Sequence, residues 1–296
     1  MHSFKLRVLI FLMHLIVVLG LQACGSEKKA NTEKEDTSAV SSEKKELQKV
    51  LNEIPKPTEM PYLLKNTGAE FNANFVNPYK NVEKYMATDF KAAVNLGIYA
   101  TDIGYVCVYE KVQNAIDYIR SAKQLGDKLG ISNAFEPSVE KRFESNLNNI
   151  DSLAKIIDEA LLKSDKYLKD AKRTTTSALI FTGSFIEGLF IATQLIDSYP
   201  KDILPTDARH QILVPLARVI VKQRQPLTNL INAMKDTQKD EDSEKLTKSL
   251  EELAAVYDKL DLETQIKENK GKLILTDKNL EAITKKVKEI RTMIVN

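Results

Sequence analysis

Two carboxylates stand in stretches where carboxylates are scarce. Asp102 lies in the apolar run 89–109, and Glu187 is the only charge between Thr175 and Asp197. Burying an unpaired charge is costly, so each acid must find a partner or shift its pKa. Candidate cations cluster on one segment, at Arg209, Arg218, Lys222 and Arg224. Asn95, Tyr99, Tyr105 and Tyr109 are spaced to complete a hydrogen-bonded cluster around Asp102. The leading expectation is a satisfied polar network that fixes helix register. A pocket for a small polar or amphipathic ligand is the alternative, lined by Asn95, Tyr99, Asp102 and Glu187 with Arg218 as counter-ion. Paired carboxylates also serve as acid and base. Sugar hydrolysis, however, needs a set separation that chain spacing does not give. A carboxylate metal centre in a helical bundle adds Glu-x-x-His motifs, and the chain has none.

The other chemistry is sparse, and the reason begins at the N-terminus. Lys5 and Arg7 precede an apolar run from Val8 to Leu19, broken only by His14, and Leu21-Gln22-Ala23-Cys24-Gly25-Ser26 follows. This reads as a secretory signal with a small residue before the cut. The run is about a dozen residues, short of the roughly 20 that span a bilayer. Leu21-Gln22-Ala23-Cys24 resembles the lipobox of bacterial lipoproteins. Over residues 1–26 the resemblance implies that 1–23 are removed and that Cys24 carries two or three acyl chains, palmitate among them. It also implies an envelope location, the outer membrane where the organism has one. Two or three chains anchor stably where one does not. An ordinary signal peptide, cut after Ala23, is the competing reading. Beyond residue 26 the chain resembles envelope lipoproteins of unassigned activity as a class, and no narrower family.

Without residues 1–23 the only histidine is His210, and the cysteines are Cys24 and Cys107. Zinc sites built from several His or Cys ligands are excluded, no cofactor motif occurs, and an acylated Cys24 leaves Cys107 without a disulfide partner. Cys107 reads as a small buried filler. Asp207 and His210 are three apart, but Asp207 fits better as a helix cap. The whole chain has 43 basic and 41 acidic residues, and removal of Lys5 and Arg7 leaves 41 of each. That balance argues against nucleic acid, which needs a basic surface.

These groups must be carried by helices. Residues 24–55 are polar and charged, and read as a disordered, lipidated tether, with a short helix near Glu46–Ile54. About thirty flexible residues reach roughly 30 Å. The body shows the amphipathic helix period in three separate segments: Phe143 to Leu161, Leu246 to Leu260, and Leu280 to Ile294. No strand pattern of useful length occurs. The spacing predicts an all-α protein of about seven helices, in a bundle or irregular array. The main domain is expected over 56–234 and a C-terminal helical hairpin over 235–296, with the charged stretch Lys235–Asp242 either a linker between them or a solvated loop inside one domain.

Two helices differ from the rest. In 89–109, Ala93, Gly97, Ala100, Gly104 and Cys107 form a stripe of small residues that lets another helix come close. Asn95, Tyr99, Asp102 and Tyr109 share another face, so this helix is expected at the centre. In 175–198 nearly every residue is apolar or small, and Gly183 and Gly188 call for tight packing to offset about 1 kcal/mol each. That helix is long enough to cross a membrane, but Glu187 and Gln194 favour a buried core helix. The function expected is a lipid-anchored, non-enzymatic binding or interaction module, acting on an envelope protein partner or a small ligand. A carboxylate hydrolase is the more distant alternative.

Overall fold

The structure is a computed structural model, and it describes residues 58–66, 68–132, 137–198, 206–236, 240–259 and 278–296. The signal, Cys24, the tether and the short helix near 46–54 lie outside the described residues. The described residues belong to one compact unit running from Ser42 to Asn296. They form ten helices of eight residues or more and no strand, so the fold is all-α, an irregular helical array. We label them α1 (Glu59–Asn66), α2 (Asp89–Val108), α3 (Val112–Lys128), α4 (Pro137–Glu144) and α5 (Ile150–Asp170). The remainder are α6 (Thr174–Ser198), α7 (Thr206–Val221), α8 (Arg224–Lys235), α9 (Glu241–Tyr257) and α10 (Lys278–Val295).

Ten exceed the expected seven because hydrophobic period runs on across turns. Phe143 and Leu161 keep one phase, yet α4 and α5 are separate helices. Ser145 Oγ donates back to the Lys141 carbonyl at 2.8 Å, and Asn146 Nδ2 to that of Arg142 at 2.6 Å. Such side chains compete with the helix ladder. Asn149 then caps the next helix by accepting from the Ser152 N–H at 3.0 Å. Pro226 separates α7 from α8 in the same way. In a continuous helix its ring would strike the carbonyl of residue 222, so it sits instead in the first turn of α8. Pro215 behaves otherwise, since α7 continues through it.

The centre is the crossing of α2 and α6, both buried along nearly their whole lengths. A methyl group at Gly97 would overlap the Ile180 carbonyl oxygen, and one at Gly183 would overlap that of Val94. Backbone therefore meets backbone, which only glycine allows. Beside this contact, Thr101 Oγ1 lies 2.9 Å from Ser184 Oγ and donates to the Ser184 carbonyl at 3.2 Å. By length and composition, α6 is the one described helix able to cross a membrane. Yet 94% of its apolar window is buried within the protein. The last two helices, α9 and α10, pack against each other, and α10 also packs against α6.

Candidate functional site

Helix α2 presents three faces, each with its own partner. Gly97 and Thr101 meet α6. The second face holds the polar side chains singled out from the sequence. Their hydrogen bonds go to the backbone of the irregular segment 69–79 and to the end of α10. Tyr109 donates to the Ala69 carbonyl at 2.8 Å, and Tyr105 accepts from the Asn72 N–H at 3.0 Å. Asp102 Oδ2 accepts from the Asn77 N–H at 3.2 Å, and Tyr99 donates to the Pro78 carbonyl at 3.1 Å. Asn95 Nδ2 donates to the Ile294 carbonyl at 3.1 Å, and Lys91 Nζ to that of Asn296 at 3.2 Å. Tyr85, just upstream of α2, donates to the Val295 carbonyl at 3.2 Å. Backbone groups without a helical partner must be satisfied somewhere, and this face satisfies them.

Asp102 and Glu187 are neighbours, both fully buried. The cation that meets them is Arg291 of α10, not one from the segment around Arg218. Its Nε donates to Glu187 Oε2 at 2.8 Å and its Nη2 to Oε1 at 2.9 Å, a two-pronged contact. The guanidinium also lies 4.2 Å from the centre of the Phe190 ring, one turn along α6 from Glu187. Arg218 stands half-buried on α7, Arg224 pairs with Asp258 at 2.7 Å, and the side chains of Arg209 and His210 lie outside the description.

Burial, and then the Glu187 charge, push the Asp102 carboxyl well above the usual carboxylate range, against the opposing pull of Arg291. Asp102 Oδ1 has no hydrogen-bond donor among the described residues. A proton on Asp102, donated toward Glu187, accounts for both facts. The Arg291 guanidinium faces the two acids from α10. With both Glu187 oxygens on the guanidinium and both acids fully buried, the group acts as a latch. It fastens α2, α6 and α10 at one point.

Sequence reasoning missed Arg291, although a signal existed. Position 291 is four after Val287 and three before Ile294, so a cation stands on the apolar stripe of α10. Asn77 had no such signal.

The third face of α2 borders a cavity of about 150 Å³ that opens between α2, α3, α4 and α5. Leu96, Ile103, Ile119, Phe143, Ile157 and Leu161 line it, and among the described residues Lys123 is its only charged lining residue and Ser164 its only hydroxyl. Ser164 is buried and donates to the Ala160 carbonyl at 2.8 Å. Lys123 borders the cavity and is exposed overall, as expected of a lysine that lays its stem on apolar surface and keeps its ammonium in water. None of Asn95, Tyr99, Asp102 and Glu187 borders this space. Cys107 is buried elsewhere in the core, its thiol pushed up to about 12 by burial. Among the described residues no group of three or more His, Cys, Asp or Glu is placed to hold a metal. Comparison with known proteins matched no family model, no curated protein and no solved structure.

Proposed function

We propose that the chain is a non-enzymatic binding module, held on a bacterial envelope membrane through a lipidated Cys24. Its ligand enters the cavity bordered by α2, α3, α4 and α5. The carboxyl pair is structural. One observation carries this reading: the acids are sealed in the core with Glu187 on Arg291, while the accessible space is apolar and, among the described residues, lined by no carboxylate or thiol. Pockets that take small molecules are concave and mainly apolar, with a few polar groups for orientation. The envelope assignment is supported by the resemblance at Leu21-Gln22-Ala23-Cys24.

Native mass spectrometry tests the module. The protein is exported to the envelope as the chain from residue 25 onward and purified gently. The expected spectrum shows added mass that is lost on denaturation, survives Asp102→Asn and disappears in Ala160→Leu, which fills the cavity. A bare mass in every preparation, or added mass that follows Asp102 instead of Ala160, overturns the reading. Metabolic labelling with palmitate tests the anchor: the full chain takes up label and Cys24→Ser does not.

A further inference from the structure

The cavity carries a charge asymmetry that narrows its ligand, on the footing that it is the binding site. Among the described residues its walls are aliphatic and aromatic, and its one cation is Lys123, which is exposed. Lys123 has no ion pair with any described residue, whereas its neighbour along α3, Arg120, is paired with Asp117 at 3.5 Å. Charged side chains on helix surfaces gain little from isolated pairing. Beside an apolar opening, however, an ammonium with no acidic partner among the described residues attracts an anion into a region of lowered dielectric. Among the described lining residues the only hydroxyl is that of Ser164, which is buried and donates to the Ala160 carbonyl. Its oxygen still accepts a hydrogen bond, but it has no proton left to donate, so a second carboxylate or carbonyl on the ligand would stay unsatisfied there, which is costly.

We propose that the cavity binds a medium-chain aliphatic monocarboxylate, its tail among Leu96, Ile103, Phe143 and Leu161 and its carboxylate on Lys123. Size sets the class. An apolar cavity near 150 Å³ accommodates a guest of about six carbon atoms. A long-chain lipid would leave most of its tail in water. A hexyl to octyl tail fills the space and puts its headgroup at the mouth.

Calorimetric titration of the chain from residue 25 onward, which keeps the whole compact unit, compares sodium octanoate with 1-octanol. The tails match in length, so the difference reports the headgroup. Octanoate is expected to bind one to one and about five- to tenfold more tightly than octanol. Lys123→Gln, a substitution at an exposed position, abolishes that preference by weakening octanoate binding about five- to tenfold. Ala160→Leu removes binding of both. Equal affinity for the two probes, or a preference that survives Lys123→Gln, overturns the carboxylate and leaves an apolar site. Failure of both probes to bind overturns the carboxylate proposal; if native mass spectrometry also shows a bare mass, the binding-module reading falls with it.

Discussion

At the scale of single residues, the polar cluster is decided by one side chain, Arg291. Glu187 is fully buried and both its oxygens are engaged by that guanidinium. Removing one partner of a buried pair strands the other. Arg291→Met is therefore expected to destabilise the protein by about 3–5 kcal/mol, and Glu187→Gln in the same chain to recover most of the loss. Denaturant melts of the single and double variants measure this, and an equal loss in both would remove the latch. Asp102 makes a second, pH-dependent claim. Its raised pKa means that the folded protein binds this proton more tightly than the unfolded chain does. The stability it contributes is full below about pH 4, the ordinary carboxylate value, and is lost as pH rises through the raised folded value. Asp102→Asn keeps a donor toward Glu187 and cannot ionise. Its Tm should fall less than that of the unaltered protein from about pH 5 to 9. Parallel Tm curves would mean that Asp102 does not hold the proton. The acids were legible in the sequence because charge inside an apolar helix is conspicuous. Their partner was not, because several cations competed and only the fold brings α10 to them.

At the scale of elements, the small residues of α2 and α6 have two different roles. Gly97 and Gly183 face each other's helix so closely that neither has room for a Cβ. Gly188, on the same α6, would place a Cβ 3.7 Å from that of Met60, an ordinary contact. Helix propensity favours alanine over glycine by about 1 kcal/mol, so only packing sets the sign. Gly188→Ala is expected to stabilise by about 0.5–1 kcal/mol. Gly97→Ala is expected to destabilise by more than about 3 kcal/mol, beyond ordinary overpacking, because backbone rather than a side chain must move. Thermal denaturation of both variants decides it, and similar Tm values would mean that the helices do not touch at Gly97. The close approach at Gly97 was readable because small residues recur on one helix face, but Ala100 of that same stripe borders the cavity instead. Helix boundaries were harder to read. Phe143, Leu147 and Ile150 keep the period across a turn, and the hydrogen bonds of Ser145, Asn146 and Asn149 break the helix without disturbing it.

At the scale of the whole molecule, α10 closes the protein. Its apolar stripe, Leu280, Ile283, Val287, Ile290 and Ile294, is buried, and Arg291 joins it to α6. Asn95, Lys91 and Tyr85 take the last carbonyls, those of Ile294, Asn296 and Val295. The all-α class and the central place of α2 were visible in periodicity. The cavity was not, since Leu96, Ile103 and Phe143 carry the same pattern whether they fill a core or line a space. Nor did the pattern decide between a separate C-terminal hairpin and one domain, or show that α10 would bring Arg291 to the polar centre. A chain ending at Asp277 tests this. It would expose the α6 and α9 surfaces that α10 covers and leave Glu187 buried without its counter-ion. Helical backbone bonds are local and survive such a loss, whereas specific packing does not. The truncated chain should keep most of its far-ultraviolet helical signal, lose its sharp thermal transition and bind an apolar dye. A cooperative melt near the full chain's Tm would instead make α10 peripheral, and Arg291 a surface ion pair worth at most about 1 kcal/mol.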